Sequence, residues 1–156
     1  MKRIILTAIA IVLICAPIAQ AENPVDATAY VSMDMAMVHA DAEAMVMSYD
    51  IKGLVLSNNG SEIFNNASER CVGLFLRVGT EIYQNGYCKY LYPNKDYIIL
   101  EYNGHADDGK WKLVFGSGKW KGIKGSGTYN VMRVQPITPD STQHYRMIKG
   151  SYELPE

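Results

Sequence analysis

Residues 29–50 decide the fold, and they read AYVSMDMAMVHADAEAMVMSYD. Alanine and methionine favour helix, but on a helical wheel the polar residues of this stretch fall on two opposed sides, so a helix would have no single wet face. With a period of two, the same residues separate by type, which predicts two β-strands. The odd positions hold Met33, Met35, Met37, Met45 and Met47, and the even positions hold Ser32, Asp34, Ser48 and Asp50.

The two predicted strands are close enough in sequence to form a hairpin with its turn at residues 40–42. Directly opposed side chains on one face of such a pair lie about 5 Å apart. The hairpin therefore predicts a compact patch of sulfur atoms on one face, with a histidine at one end. The predicted pairs are His39 with Glu43, Met37 with Met45, and Met35 with Met47.

The remainder of the chain also has the character of strands separated by turns. Turn signals such as Asn58-Asn59-Gly60 and Asn103-Gly104 follow short apolar or alternating segments. About eight antiparallel strands in one domain favour a closed up-and-down barrel, because closure removes exposed edges; a two-sheet β-sandwich is the alternative. The predicted strands are 29–38, 44–57, 70–78, 87–92, 97–102, 111–115, 128–134 and 145–152, after a short leader at 22–28.

The start of the chain has the features of an export signal. Lys2 and Arg3 precede an apolar run, and the segment closes on Ala19-Gln20-Ala21, with a small residue on each side of Gln20. This order predicts a signal peptide over residues 1–21 that is cleaved after Ala21. The protein is therefore predicted to be periplasmic or secreted.

Residues 22–156 are predicted to form one barrel domain. The whole chain has 156 residues and a net charge of −1. A weakly acidic chain argues against a nucleic-acid partner, whose binding surface would be basic. No second long apolar run follows the signal, so no further membrane-spanning segment is predicted.

Cys71 and Cys88 are the cysteines that follow the signal. An even number of cysteines in an exported chain predicts a disulfide. The alternative is a redox or catalytic thiol, although the chain has no CxxC spacing.

A glycine-rich segment at residues 116–129 reads GSGKWKGIKGSGTY. It does not have the pattern of a phosphate-binding loop, because Trp120 follows Lys119 where such a loop has Ser or Thr. The segment resembles the G-x-G-x-(Y/F)-x-G-I-x-G-x-G-x-Y stretch of small secreted bacterial proteins of unknown function, which are similar to the allene oxide cyclase/calycin group of β-barrels. The resemblance extends over roughly residues 44–130. It implies a barrel, export and the pairing of the two cysteines, and it implies no established activity.

The leading functional prediction is a non-catalytic, exported barrel that binds a small, partly apolar molecule, or a protein partner, through its open end. Methionine lines adaptable pockets well, and tyrosine adds a polar group to an apolar ring. No cofactor is predicted. The predicted ligand-binding residues are Met33, Met35, Met37, Met45, Met47 and Tyr49.

Two further hypotheses belong to other classes. The first is a periplasmic Cu(I) site, because Cu(I) prefers soft thioether sulfur and imidazole nitrogen. The second is an enzyme of cyclase or isomerase type, which rests on fold analogy alone and requires a polar cluster inside the barrel that the sequence does not mark. The predicted Cu(I) ligands are Met35, Met37, Met45, Met47 and His39.

Overall fold

Antiparallel strands follow one another along residues 22–135 and 142–155, the part of the chain that the computed structural model describes. Within this part, each strand pairs with its neighbours in sequence, and the first strand also pairs with the eighth, so the sheet closes into an all-β barrel. The predicted up-and-down barrel is therefore confirmed, and the sandwich is excluded. The strands are β1 Asn23–Ala40, β2 Ala44–Ser57, β3 Ala67–Val78, β4 Glu81–Leu91, β5 Tyr97–His105, β6 Asp108–Gly116, β7 Lys124–Arg133 and β8 Gln143–Glu153, with a 3₁₀ turn at Gly118–Trp120.

The predicted leader at residues 22–28 is wrong, because β1 begins at Asn23. Val25, Ala27 and Ala29 are buried in the barrel, and β8 supplies the hydrogen-bonding partner along this part of β1. Alanine is a poor strand former, so pairing with a distant strand decides the structure here. The predicted signal peptide at residues 1–21 lies outside the described residues. No described segment forms a helix of the length and apolar character needed to cross a membrane.

One end of the barrel, here called the closed end, is filled by aromatic side chains from the loops. Phe64, Tyr92 and Trp120 come from the β2–β3, β4–β5 and β6–β7 connections, and all are buried. The rings of Tyr92 and Trp120 lie 5.1 Å apart, and the Phe64 backbone N–H donates to the Tyr92 hydroxyl at 3.2 Å. These contacts close this end of the barrel, and the rest of its interior packs against them.

The opposite end, here called the open end, is formed by the β1–β2, β3–β4 and β5–β6 hairpins, the end of β7 and the start of β8. β1 pairs with β8 only as far as Ser32, whereas its pairing with β2 continues to Ala40. Residues 34–50 therefore form a hairpin arm that extends beyond the strand β8. This arm carries most of the methionines that the sequence singles out.

The predicted register of this hairpin is wrong by two residues, although the predicted alternation between the two faces is right. The turn lies at residues 41–43 rather than 40–42, because the Asp41 carboxylate accepts the backbone N–H groups of Glu43 at 2.8 Å and Ala44 at 2.7 Å. A β-bulge between Met37 and His39 shifts the register again. The observed pairs are Met35 with Tyr49, Met37 with Met47, and His39 with Val46.

Candidate functional site

The open end of the barrel leads into a cavity of about 440 Å³. Its walls are largely apolar, because the odd-numbered side chains of β1 and β2 turn inward and meet the inward-facing side chains of β3, β4 and β7. Four of the five predicted methionines and the predicted Tyr49 line this one cavity. Besides Tyr49 and Arg77, the first three strands contribute Met33, Met35, Met45, Met47, Ile51 and Phe75 to its lining.

The other two residues of the predicted copper set lie elsewhere. Met37 is 57% exposed on the hairpin arm and is not among the residues that line the cavity. The imidazole of His39 lies at the tip of the arm, where its Nε2 is 2.9 Å from Oδ2 of Asp41. The structure thus brings Met35, Met45 and Met47 to one cavity and does not bring Met37 or His39 to it.

Three buried tyrosines form a polar floor to the cavity. The Tyr102 hydroxyl donates to the Tyr49 hydroxyl at 2.7 Å, and the Tyr49 hydroxyl lies 3.5 Å from the Asn85 carbonyl. The ring of Tyr129 packs edge-to-face against Tyr102 with 6.0 Å between centroids. Burial raises the pKa of each of the three phenols, so all are neutral near pH 7. The polar cluster that the enzyme hypothesis requires is therefore present.

Two facing glycines make room for this floor. Gly73 of β3 and Gly86 of β4 are direct cross-strand partners. A Cβ at Gly73 would lie 2.6 Å from the Tyr102 hydroxyl and 2.7 Å from that of Tyr49, and a Cβ at Gly86 would lie 2.5 Å from that of Tyr102. Any side chain at either position would displace the hydroxyl groups, so the glycines determine the positions of the tyrosine hydroxyl groups.

A buried ion pair and the disulfide lie beneath the tyrosines. Arg146 donates from Nη2 to Oε1 of Glu69, which also accepts a hydrogen bond from the Tyr90 hydroxyl at 2.6 Å. Burial lowers the pKa of Arg146, but the Glu69 carboxylate outweighs that effect and the pKa is raised overall, so the guanidinium stays charged. Cys71 and Cys88 are opposite each other on β3 and β4 and form the predicted disulfide, which is confirmed; Nη1 of Arg146 is 3.7 Å from the Cys71 sulfur.

The mouth of the cavity carries the remaining charged side chains. Arg133 pairs with Asp107, with 2.7 Å between Nη2 and Oδ1. Arg77 also lines the cavity, is exposed, and has no ion-pair partner among the residues that the structure describes. His144 is half-buried and lines the same cavity.

The half-buried His144 is expected to make the barrel less stable as the pH falls from about 6.5 to about 4. Burial, with Arg146 and Arg133 nearby, lowers the pKa of His144 from 6.5 to about 4. Between these values the unfolded chain takes up a proton that the folded chain does not, so the free energy of unfolding decreases with falling pH. Urea unfolding at pH 7 and pH 5 measures this loss. The His144→Gln variant should lose less, and an equal loss in both proteins would contradict the assignment.

Sequence reasoning did not identify Tyr102, Tyr129, Arg146 or Glu69 as site residues. For the two charged residues, the signal is their position in the alternation of each strand. Arg146 shares the inward positions of β8 with Ile148, and Glu69 shares those of β3 with Cys71. A charged residue at an inward position requires a buried partner. That requirement indicates a pair but does not say which two residues form it.

Comparisons with known proteins agree with the barrel. No family model and no curated protein matches this chain. Among solved structures, a pterocarpan synthase dirigent protein superimposes with a TM-score of 0.57 at 11% identity, covering 96% of this chain and 100% of its own. The chain shares the fold of that barrel.

Two further solved structures align over a smaller share of their length. A nonspecific heme-binding cyclase of neoabyssomicin biosynthesis has a TM-score of 0.46 at 17% identity and covers 87% of this chain and 68% of its own. A Diels–Alderase from Streptomyces koyangensis has the same TM-score and identity, with 89% and 72% covered. At these identities the likeness is one of fold alone. The barrel fold that the resemblance to the allene oxide cyclase/calycin group implies is confirmed.

Proposed function

We propose that this protein is an exported, non-catalytic barrel that binds one small, partly apolar molecule in the cavity at its open end. The observation that carries the proposal is the cavity at the open end, which has apolar walls and a small polar floor. Small-molecule sites have this composition, with apolar surface for affinity and a few polar groups for orientation, and volumes of about 300–1,000 Å³. The cavity of about 440 Å³ falls in this range.

The methionines support a ligand whose shape is not tightly specified. Met33, Met35, Met45 and Met47 line the same side of the cavity, and unbranched thioether side chains adjust to irregular surfaces at low cost. Their wall lies on the first two strands, and Met35, Met45 and Met47 belong to the hairpin arm. The apolar part of the ligand is therefore proposed to lie against β1 and β2.

Export is proposed from two features of the chain. The order of charge, apolar run and small residues over 1–21 is that of a signal peptide, and the Cys71–Cys88 disulfide is typical of proteins in oxidising compartments. The mature protein is accordingly proposed to act in the periplasm or outside the cell.

Native mass spectrometry of the protein purified from its own source tests the binding proposal. A retained organic molecule that is lost on denaturation is the expected result. An empty barrel that also takes up no apolar probe in solution would contradict the proposal. A retained copper ion would instead favour the Cu(I) hypothesis, for which Met35, Met45 and Met47 offer three sulfur atoms at one cavity. A retained protein chain would favour a protein partner.

The Met47→Trp variant is expected to weaken ligand binding at least tenfold. Met47 is a half-buried wall residue opposite Phe75, and an indole there fills space that the ligand needs. Leu74→Trp is the matched control, because Leu74 neighbours Phe75 but points outward and is 47% exposed. Titration of both variants with the retained molecule measures the effect. Equal affinities for the two variants would show that the ligand binds elsewhere.

A further inference from the structure

The hydroxyl of Tyr49 is a donor with no good acceptor. Its oxygen accepts from Tyr102 at 2.7 Å, so its own proton is left for another group. The nearest acceptor, the Asn85 carbonyl, is 3.5 Å away, which is too long for a good O–H···O hydrogen bond. Donation from Tyr102 also polarises the Tyr49 hydroxyl and makes it a stronger donor.

A second unused hydroxyl belongs to Tyr129, which lines the same cavity. Its oxygen is buried and has no hydrogen-bond partner among the residues that the structure describes. Buried polar atoms are nearly always paired, and an unpaired one costs free energy. An acceptor atom on a bound molecule would remove that cost.

The charges around the floor favour an uncharged acceptor. Arg146 is neutralised by Glu69, and the tyrosines are themselves neutral. Arg133 at the mouth is paired with Asp107. Among the described residues that line the cavity, this leaves Arg77 at the mouth as the unpaired cation, so a carboxylate on the floor would be buried without a counter-charge.

We infer that Tyr49 and Tyr129 form a donor subsite for the carbonyl oxygen of an otherwise apolar ligand, with Tyr102 as the positioning residue for Tyr49. The inference rests on the proposed function and adds the chemical class of the ligand and its orientation. The carbonyl end enters first and reaches the floor, while the apolar body lies against the methionine wall.

A pair of matched probes tests this inference on the whole folded protein. The first is prodan, a dimethylaminonaphthalene that carries one ketone, and the second is its propyl analogue, in which a methylene replaces the carbonyl. Tyr49→Phe is expected to weaken prodan binding about fivefold, the usual value of one hydrogen bond between neutral groups, and to leave the affinity for the propyl analogue unchanged. Tyr129→Phe is expected to act in the same direction, and Tyr102→Phe to have a smaller effect.

Infrared spectroscopy of bound prodan supplies a measurement that would not change if Tyr49 had only a structural role. The carbonyl stretch should lie at lower frequency in the wild-type complex than in the Tyr49→Phe complex, because a hydrogen bond to the oxygen weakens the C=O bond. Thermal unfolding confirms that each variant folds.

The outcomes separate the inference from the proposed function. If both probes bind and Tyr49→Phe changes neither the prodan affinity nor the carbonyl stretch, the donor subsite is wrong and the binding proposal stands. A third probe, the carboxylate analogue of prodan, tests the uncharged class, which is wrong if this probe binds more tightly than prodan through the same tyrosines. If the wild-type protein binds none of the three probes, the proposed function fails and the subsite with it.

Discussion

Replacing Arg146 with methionine is expected to lower the free energy of unfolding by about 3–5 kcal/mol. The methionine fills part of the space but leaves the Glu69 carboxylate buried without its cation, and an uncompensated buried charge is among the most destabilising changes in a protein interior. Both side chains are almost completely buried, with 7% of Arg146 and none of Glu69 exposed. Chemical denaturation at neutral pH measures the change.

Two variants distinguish the cost in stability of an unpaired buried charge from the cost of removing any arginine. Arg133→Met breaks an ion pair whose arginine is 66% exposed, and it should change the free energy of unfolding by less than about 1 kcal/mol. Adding Glu69→Gln to Arg146→Met removes the stranded charge and should restore much of the lost stability, with Tyr90 still donating to the amide oxygen. If the double variant is no more stable than Arg146→Met, the cost is one of packing rather than charge.

Removing the disulfide is expected to cost about 3 kcal/mol. Cys71 and Cys88 are 17 residues apart, and a cross-link that closes a loop of this length restricts the unfolded chain by about that amount. The comparison is between oxidised protein and the Cys71→Ala/Cys88→Ala variant in the same denaturant series.

Reduction of the wild-type protein provides the internal check. A reductant should destabilise the wild type and leave the double alanine variant unchanged. A wild-type protein that unfolds at the same denaturant concentration with and without reductant would contradict a stabilising disulfide.

The alternation of residue types was enough to predict the barrel and part of the lining of its cavity. Met33, Met35, Met45 and Met47 share one parity, and that parity faces the cavity in the structure. Alternation is a local property of a strand, so it survives errors in strand length or register. Eight short strands joined by tight turns then favour a closed barrel, because closure leaves no strand edge unpaired.

The alternation of residue types could not predict the register of the hairpin. The bulge between Met37 and His39 adds one residue to one strand, and no residue type in that stretch marks it. The turn depends on the Asp41 side chain accepting two backbone N–H groups. The sequence indicates this Asx-type turn only once the positions of the strands are known.

The floor of the cavity depends on contacts between distant strands. Glu69 and Arg146 are 77 residues apart and lie on β3 and β8, which do not pair with each other. Their contact exists because the closed barrel brings the inner faces of non-adjacent strands together. Parity along one strand indicates that each side chain points inward, and it contains no information about what lies across the interior.

The difference between the two ends of the barrel has a kinetic consequence. Aromatic side chains from three loops fill one end, so a ligand bound as proposed would enter and leave through the open end. A second ligand molecule could not enter through the closed end and displace the first. Exchange of the proposed ligand would then require the bound molecule to leave before another enters, and we expect a dissociation rate that does not depend on the concentration of a competitor.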